Sequence, residues 1–150
     1  MKKRAAFLSL SIAVLLASSA IAQEVLPSTA LMGEQANYLY RELNSMVKGE
    51  KPFDASKADQ MVANLITTAR KIPTTFTADL KGKSSANSRY AASPKVWENK
   101  PDFDSHAAKL LQVLEENRSK VQTLEGLKAA YPAINGACNS CHETYRSRKS

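Results

Sequence analysis

The chain has 150 residues, of which 43% are hydrophobic, and it carries 21 Lys and Arg residues against 14 Asp and Glu residues. This length suits one compact domain, and the interspersed charges and ordinary apolar share exclude a disordered, collagen-like or fibrous protein. The two cysteines are too few for a disulfide framework. The net charge of +7 would indicate an anionic partner, but only the charges that remain in the mature chain count toward it.

Residues 1–22 have the three parts of a secretory signal peptide: basic residues 2–4, an apolar run over residues 5–16, and small residues up to Ala22. A membrane anchor is the alternative, but the run is shorter than the roughly 20 residues that span a bilayer, and no later segment is apolar enough to span. We therefore predict a mature domain of residues 23–150. Because three basic residues leave with the peptide, 18 cationic side chains remain against 14 acidic ones, a net charge of +4. This small excess, without basic residues interleaved with aromatic ones, argues against nucleic-acid binding.

Two amphipathic helices are predicted in the first half of the mature chain. The first covers residues 26–48 and ends at Gly49, and the second begins at the N-cap residue Asp54 and ends before Pro73. Their inward-facing residues follow helical spacing. These residues are Met32, Ala36, Leu39, Leu43 and Met46 in the first helix, and Ala58, Met61, Val62, Leu65, Ile66 and Ala69 in the second.

The second half predicts a long polar connection over residues 73–100, with Trp97 closing the end of the core, and then two further helices. Pro101 suits the first turn of the third helix, and Thr123 can cap the fourth. No segment has strand periodicity, so we predict an all-α, antiparallel four-helix bundle. The inward-facing residues are Phe103, Ala107, Leu110, Leu111 and Leu114 in the third helix, and Leu124, Leu127, Tyr131, Ile134, Cys138, Cys141 and Tyr145 in the fourth.

The fourth helix contains Cys138-Asn-Ser-Cys141-His142, which is the C-x-x-C-H signature of c-type haem attachment. Residues three apart share a helix face, so both thiols can reach the two vinyl groups of one porphyrin and form thioethers. His142 then directs its imidazole at the iron. The motif therefore predicts one covalently attached haem c, with its iron, near the C-terminus of the fourth helix.

Three other interpretations of the two cysteines are weaker. A helical turn holds residues three apart in poor geometry for a disulfide. A thioredoxin-like redox pair belongs at a helix N-terminus after a strand, whereas this pair lies late in an all-α chain. Zinc needs four ligands, and the other histidine, His106, lies on a different helix, where we expect it at the surface.

The C-terminal position of this motif in a bundle, followed by Glu-Thr-Tyr145-Arg146 and a basic tail, resembles the class II c-type cytochromes: cytochrome c′ and its low-spin relatives. The segments Met-Val-Lys-Gly-Glu-Lys-Pro-Phe-Asp (46–54), Ser-Pro-Lys-Val-Trp (93–97) and Leu-Lys-Ala-Ala-Tyr (127–131) are similar to landmarks of that family and stand in the same order. The resemblance covers essentially the whole mature chain. It implies a periplasmic protein with the haem buried inside the bundle and His142 as the proximal ligand.

The resemblance leaves two branches for the opposite side of the iron. In cytochrome c′ an apolar residue of the first helix closes that side, and five-coordinate iron binds nitric oxide or carbon monoxide. In the cytochrome c556 type, a methionine of the same helix ligates the iron. Met32 is the candidate ligand, although a methionine on an apolar stripe also serves as core packing. Met32 precedes Gly49 by 17 residues, slightly more than the resemblance implies, so an ungapped alignment places Gly33 there instead. The amino-acid sequences of segments 46–54 and 93–97 are more similar to the methionine-ligated branch, and we therefore predict ligation by Met32.

Arg146 follows His142 by four residues, so we predict that it lies on the same helical face, flanks the imidazole and contributes to cofactor binding. Its alternative role is a solvated cation at a helix C-terminus. Family members often carry an arginine one turn before the distal residue that pairs with a haem propionate, but Ser28 and Thr29 stand there in this chain. The candidates for that pairing are Lys81, Lys83 and Arg89.

The sequence thus predicts a periplasmic mono-haem c-type cytochrome that transfers electrons and is not an enzyme, with Met/His ligation that raises its potential. The alternative is a five-coordinate cytochrome c′ that binds nitric oxide or carbon monoxide. A peroxidase-like enzyme is disfavoured because Glu34 is the sole candidate acid or base near Met32.

Two kinds of partner are predicted. A redox protein with an acidic surface would meet a positive collar formed by Lys48, Lys51, Arg146, Arg148 and Lys149. A second copy of the chain would form a homodimer through the first two helices, where Tyr38 and Tyr40 are expected on the outer face.

Overall fold

A computed structural model describes residues 24–149, and the predicted signal peptide lies outside these residues. The helices are α1 (Pro27–Ala36), a π-helical segment (Asn37–Leu43), α2 (Asn44–Val47), α3 (Ala55–Thr75), α4 (Lys95–Glu98), α5 (Lys100–Asn117) and α6 (Leu124–Tyr145). Single 3₁₀ turns cover Ala78–Leu80 and Arg118–Gln122, and the two strands are β1 (Tyr90–Ala92) and β2 (Arg146–Arg148). Because α1, the π segment and α2 follow one another without a break, we call them together the first helix.

The first helix, α3, α5 and α6 are the four predicted long helices, and they form the predicted bundle. The first helix packs on α3, α3 on α5, and α5 on α6, while α2 contacts α6 and closes the arrangement. Consecutive helices with short connections are therefore neighbours, as expected for a bundle. The largest fully buried side chains come from all parts of the bundle: Leu39, Leu43, Met46, Val62, Leu65, Val96, Leu114, Val121, Leu127 and Ile134.

The predicted helix boundaries are confirmed at three starts and one end. A side-chain oxygen of Asp54 accepts from the Lys57 backbone N–H at 3.0 Å. The Thr123 hydroxyl accepts from the Gly126 backbone N–H in the first turn of α6, also at 3.0 Å. Pro101 lies in the first turn of α5. Gly49, with φ of 74°, follows the first helix in the left-handed conformation that glycine adopts without strain.

The prediction that the second helix ends before Pro73 is wrong, because α3 continues to Thr75. Proline removes one backbone donor inside a helix, so the turn around it needs other hydrogen bonds. The Thr75 hydroxyl donates to the Lys71 carbonyl at 2.8 Å, and the Lys100 ammonium donates to the Pro73 carbonyl at 3.0 Å. Ile72 is also buried in the core, and its packing holds this last turn in place.

The all-α bundle carries one small two-stranded sheet that the sequence pattern did not predict. β1, from the long connection, pairs antiparallel with β2 at the C-terminus, so that Tyr90 lies opposite Arg148 and Ala92 opposite Arg146. Each strand has three residues, which is too short to produce a visible alternation in the sequence. The small sheet fastens the connection to the end of α6. Trp97, partly buried against the core, donates through its indole N–H to the Thr77 carbonyl at 2.9 Å, in keeping with its predicted place at the end of the core.

The start of the first helix is tied to the same end of the molecule through Ser85. The Ser85 hydroxyl accepts from the Leu26 backbone N–H and donates to the Thr29 hydroxyl, both at 2.9 Å, while the Lys149 ammonium donates to the Ser85 carbonyl at 3.0 Å. The connection therefore joins the first helix to the C-terminal strand. None of the helices within the described residues is long and apolar enough to cross a membrane.

Candidate cofactor site

The C-x-x-C-H residues lie on the last turns of α6, whose apolar stripe faces the core. Leu127 and Ile134 on this stripe are fully buried and fix the rotation of the helix. Cys138 continues the stripe with 7% of its surface exposed, and Cys141 is partly buried one turn later. The helix therefore presents both cysteines toward the inside of the bundle, as predicted.

Both cysteines are free thiols. Burial raises the pKa of Cys138 to about 11, with a further contribution from Cys141. Burial also raises the pKa of Cys141 to about 11, and the carboxylate of Asp102 adds to this effect. Both side chains are therefore protonated at neutral pH and are not reactive thiolates.

His142 is held as a neutral imidazole. Burial and, to a smaller extent, the positive charge of Arg146 together lower its pKa to about 4. Its Nδ1 atom has no hydrogen-bond partner within the part of the chain that the structure describes. Neutral imidazole is the form that ligates metals, so this side chain suits the predicted ligand role.

A cleft between the first helix and α6 brings Met32 and His142 together. The cleft is narrow, with a volume of about 30 Å³. Cys138 and His142 line it from α6, and the first helix contributes Met32, Gln35, Ala36, Leu39 and Tyr40. Gly33, the alternative at the distal position, is exposed and does not line the cleft.

Gln35 is the residue of this cleft that the sequence interpretation missed. Its side chain is buried, with 7% exposure, and its amide nitrogen has no partner among the described residues. An unsatisfied buried amide costs about 1–3 kcal/mol, so such groups are rare without a ligand or a bound water. A polar residue four positions from both Leu31 and Leu39, on an otherwise apolar stripe, was the signal in the sequence.

Tyr40 lines the open side of the cleft and is 40% exposed, which is consistent with the expected place on the outer face of the first helix. Its hydroxyl donates to the Asn135 side-chain oxygen on α6 at 3.1 Å. Burial is the main reason that the pKa of Tyr40 is raised. This bond crosses from the first helix to α6 beside the cleft and holds the two elements together.

The predicted place of Arg146 on the helical face of His142 is wrong. α6 ends at Tyr145, and Arg146 has the extended backbone of β2. Pairing with β1 stops the helix at this point, and the guanidinium lies 4.4 Å from the ring centroid of Tyr90. Its charge still acts on the pKa of His142, whereas its contribution to cofactor binding stays a prediction.

His106 lies outside the cleft lining, near the end of α6. It is partly buried, with its Nε2 atom 3.7 Å from Asp102 and its ring centroid 5.6 Å from that of Tyr145. The Tyr145 hydroxyl donates to the Asp102 carboxylate, which joins the last turn of α6 to the first turn of α5. Within the described residues, no three His, Cys, Asp or Glu side chains form a group that could hold a metal ion.

The predicted positive collar is divided by the fold. Lys51 pairs with Glu42 at 3.0 Å and Lys48 with Glu50 at 3.9 Å, so acidic neighbours offset the two cations at the end of the first helix. The other cations lie on or beside the two-stranded sheet, and the ion pairs found among the described residues do not involve them. Arg146 and Arg148 lie two residues apart in β2 and share one face of the sheet, which we call the basic sheet face, whereas the Lys149 ammonium donates to the Ser85 carbonyl.

A helical bundle whose last helix carries C-x-x-C-H beside a cleft defines a class of haem-binding protein, and comparisons with known proteins agree. The sequence model of the family described as Cytochrome C′ matches residues 28–146. Cytochrome c-555 of Bradyrhizobium diazoefficiens is 45% identical over 116 residues, which is 77% of each chain. Cytochrome c-556 of Rhodopseudomonas palustris is 32% identical over 138 residues, covering 91% of this chain and 92% of the relative. The chain belongs to the cytochrome c′ family.

The solved structures place the fold in the same family. An NMR-validated structural model of oxidized R. palustris cytochrome c556 superposes with a TM-score of 0.71 and 30% identity, covering 82% of this chain and 95% of that one. Cytochrome c′ from R. palustris gives the same TM-score and identity, with 81% and 93% coverage. The names cytochrome c556 and cytochrome c′ therefore both occur among proteins of comparable similarity to this chain.

Cytochromes of this family carry one covalently attached haem c with its iron, and they are electron-transfer proteins. The residues of the cleft fit this cofactor. The cleft is largely apolar, and Cys138, the neutral His142 imidazole with its unpartnered Nδ1 atom and the unpartnered Gln35 amide line it, while the Cys141 thiol lies one helical turn after Cys138. These residues would offer two thiols for covalent attachment, an imidazole nitrogen and, on the facing helix, the thioether of Met32.

Proposed function

We propose that this protein is a periplasmic electron carrier whose haem iron is ligated by His142 and Met32. The observation that supports this proposal is the cleft, in which a methionine of α1 and the histidine of the C-x-x-C-H motif both take part. Cys138 and Cys141 would hold the porphyrin through two thioethers. Thioether and imidazole ligation raises the reduction potential and suits outer-sphere electron transfer.

Haem c, when bound, supplies one iron that accepts an electron from a donor and returns it to an acceptor. The protein's own contribution is to hold and shield this group. The neutral imidazole of His142 offers its nitrogen without first losing a proton. Leu39 at the cleft and the core beneath it exclude water, and fixed side chains need little rearrangement when the charge changes.

The basic sheet face is the proposed docking surface for an acidic redox partner. It adjoins the end of α6 that carries the motif, and the charge of Arg146 reaches His142 from there. We expect the double change Arg146→Glu and Arg148→Glu to slow electron exchange with an acidic partner at low salt. The difference should shrink as salt rises, because exposed charges are screened over about 10 Å at 0.1 M ionic strength. An equal change at all salt concentrations would contradict this role.

Three further parts of the proposal concern the location, the absence of catalysis and the oligomeric state. Periplasmic location rests on the signal peptide predicted over residues 1–22 and on the family. A role without catalysis rests on the family's function as electron carriers. Homodimer formation through the first helix and α3 stays a prediction, and its proposed contacts no longer include the Tyr40 hydroxyl, which bonds within the chain. Sedimentation velocity of the purified holoprotein measures the oligomeric state.

Replacing Met32 by alanine tests the ligation directly. In the ferric parent protein we expect a low-spin spectrum with a methionine-to-iron charge-transfer band. In the Met32→Ala holoprotein the band should disappear, the iron should become high-spin, and nitric oxide or carbon monoxide should bind rapidly.

Met61→Ala provides the matched control. Met61 is also a core methionine, with 8% exposure, but it lies on α3 and does not line the cleft. This variant should keep the parent spectrum. Loss of the band in both variants would indicate general destabilisation, and an unchanged spectrum in Met32→Ala would refute Met32 as the ligand. A high-spin parent protein would instead support the five-coordinate, gas-binding alternative.

A further inference from the structure

The first helix is interrupted by the π segment, Asn37–Leu43, which contributes Leu39 and Tyr40 to the lining of the cofactor cleft. In a π turn the backbone N–H bonds to the carbonyl five residues earlier instead of four, and the Asn44 N–H does donate to the Leu39 carbonyl. Regular α-helix continues on both sides, in α1 and α2. Isolated π turns within α-helices are rare and occur frequently at functional sites.

The π segment changes which residues of the first helix share a face. The buried residues of the first helix are Ser28, Leu31, Gln35, Leu39, Leu43 and Met46. The four central ones recur every four residues, a spacing that a regular α-helix of about 100° per residue would spread over about 120°. A π turn contains more residues than an α turn and brings side chains at this spacing closer to one line.

We propose that the π segment accommodates one residue more than a regular helix would need between the cleft and the end of the first helix, and that it thereby keeps Met32 and Gln35 at the cleft. If the same number of residues formed an unbroken α-helix, α1 would be rotated by about 100° relative to α2. Gly33 would then take the position of Met32. The functional part of this inference rests on the proposed role of Met32 as iron ligand.

Deleting one residue from the π segment tests whether the segment holds an extra residue, because a segment with an extra residue and one without it would respond in opposite ways. Asn37 and Arg41 both lie in the segment and are exposed, so each can be removed without cutting into the core. If the segment holds an extra residue, either deletion converts it to regular α-helix and leaves Met32 at the cleft. If it does not, either deletion rotates α1 by about 100° and removes Met32 from the cleft.

We therefore expect both single-deletion holoproteins to fold, to carry haem and to keep the ferric methionine-to-iron band of the parent. Asn37→Ala, which preserves the length, is the matched control and should also keep it. Deleting Asn37 and Tyr38 together removes one residue too many and should abolish the band. Single deletions that lose the band, or that fail to yield a folded holoprotein, would overturn the inference.

A second readout separates this inference from the proposed ligation. In the ferrous, carbon monoxide-bound holoprotein, a methyl group that lies over the porphyrin shows a ring-current-shifted NMR signal whether or not its sulfur ligates iron. If the ferric parent proves high-spin, the proposed ligation fails, and the Met32 methyl signal then carries the test. Retention of the shifted signal in both single deletions supports the inference, and its loss in either one contradicts it.

Discussion

Phe103 joins the start of α5 to the end of α6, which carries the C-x-x-C-H motif. Its ring centroid lies 5.1 Å from that of Phe76 and 5.2 Å from that of Tyr145, and both pairs are edge-to-face. Such a pair contributes about 0.5–1.5 kcal/mol beyond area burial, so two pairs are worth about 1–3 kcal/mol. Phe103 is also buried, with 3% exposure. Leucine keeps the apolar contact and removes both aromatic pairs, and we expect Phe103→Leu to lower the free energy of unfolding by about 2 kcal/mol.

Urea unfolding of the holoprotein, followed by far-ultraviolet circular dichroism, measures this change as a lower midpoint at an unchanged slope. Phe53→Leu is the matched control, since Phe53 packs against the core but forms no aromatic pair within the described residues. This control should lose less stability than Phe103→Leu. If the two variants differ by less than about 0.5 kcal/mol, the aromatic pairs do not anchor the end of α6 as argued.

Three other predictions concern attachment, capping and charge. Alanine at either Cys138 or Cys141 should leave haem attached through one thioether, and alanine at both positions should release it. Mass spectrometry of the denatured protein distinguishes these cases. A mass that includes haem in the double variant would contradict the attachment scheme. Thr123→Ala removes the acceptor for the first turn of α6 and should cost about 1 kcal/mol in urea unfolding; an unchanged midpoint would argue against the cap. Lys57 and a second lysine hold the pKa of Glu42 below its ordinary value, so Glu42→Gln should cost about 1 kcal/mol at pH 7. The stability difference between the parent and Glu42→Gln should be complete above the ordinary pKa of glutamate and should fade as the pH falls through the lowered pKa of Glu42 in the folded protein. A difference that does not change with pH would refute the stabilising role of the Glu42 charge.

The sequence predicts those parts of the fold and site that depend on local patterns. Helical periodicity identified the four long helices, and the N-caps Asp54 and Thr123 marked two of their starts because a capping side chain acts within its own turn. The spacing of Cys138, Cys141 and His142 predicted the cofactor for the same reason. All these residues lie within one or two turns of the groups they act on.

The features that the sequence did not predict depend on distant contacts. Lys100, 27 residues after Pro73, donates to the Pro73 carbonyl and so supports the last turn of α3. Arg146 leaves the helix because β2 pairs with β1, more than 50 residues earlier in the chain. The π segment follows from the fit of the whole first helix against the core. The place of Met32 relative to Gly33 depends on this segment, which explains why spacing alone left it open.

Joint ligation of the haem iron by His142 and Met32 is tested most directly on the ferric holoprotein. Electron paramagnetic resonance, recorded with the absorption spectrum of the same sample, reports the spin state and the ligand. We predict a low-spin signal accompanied by the methionine-to-iron charge-transfer band. A high-spin signal without that band would contradict the claim and would indicate an open position on the Met32 side of the iron.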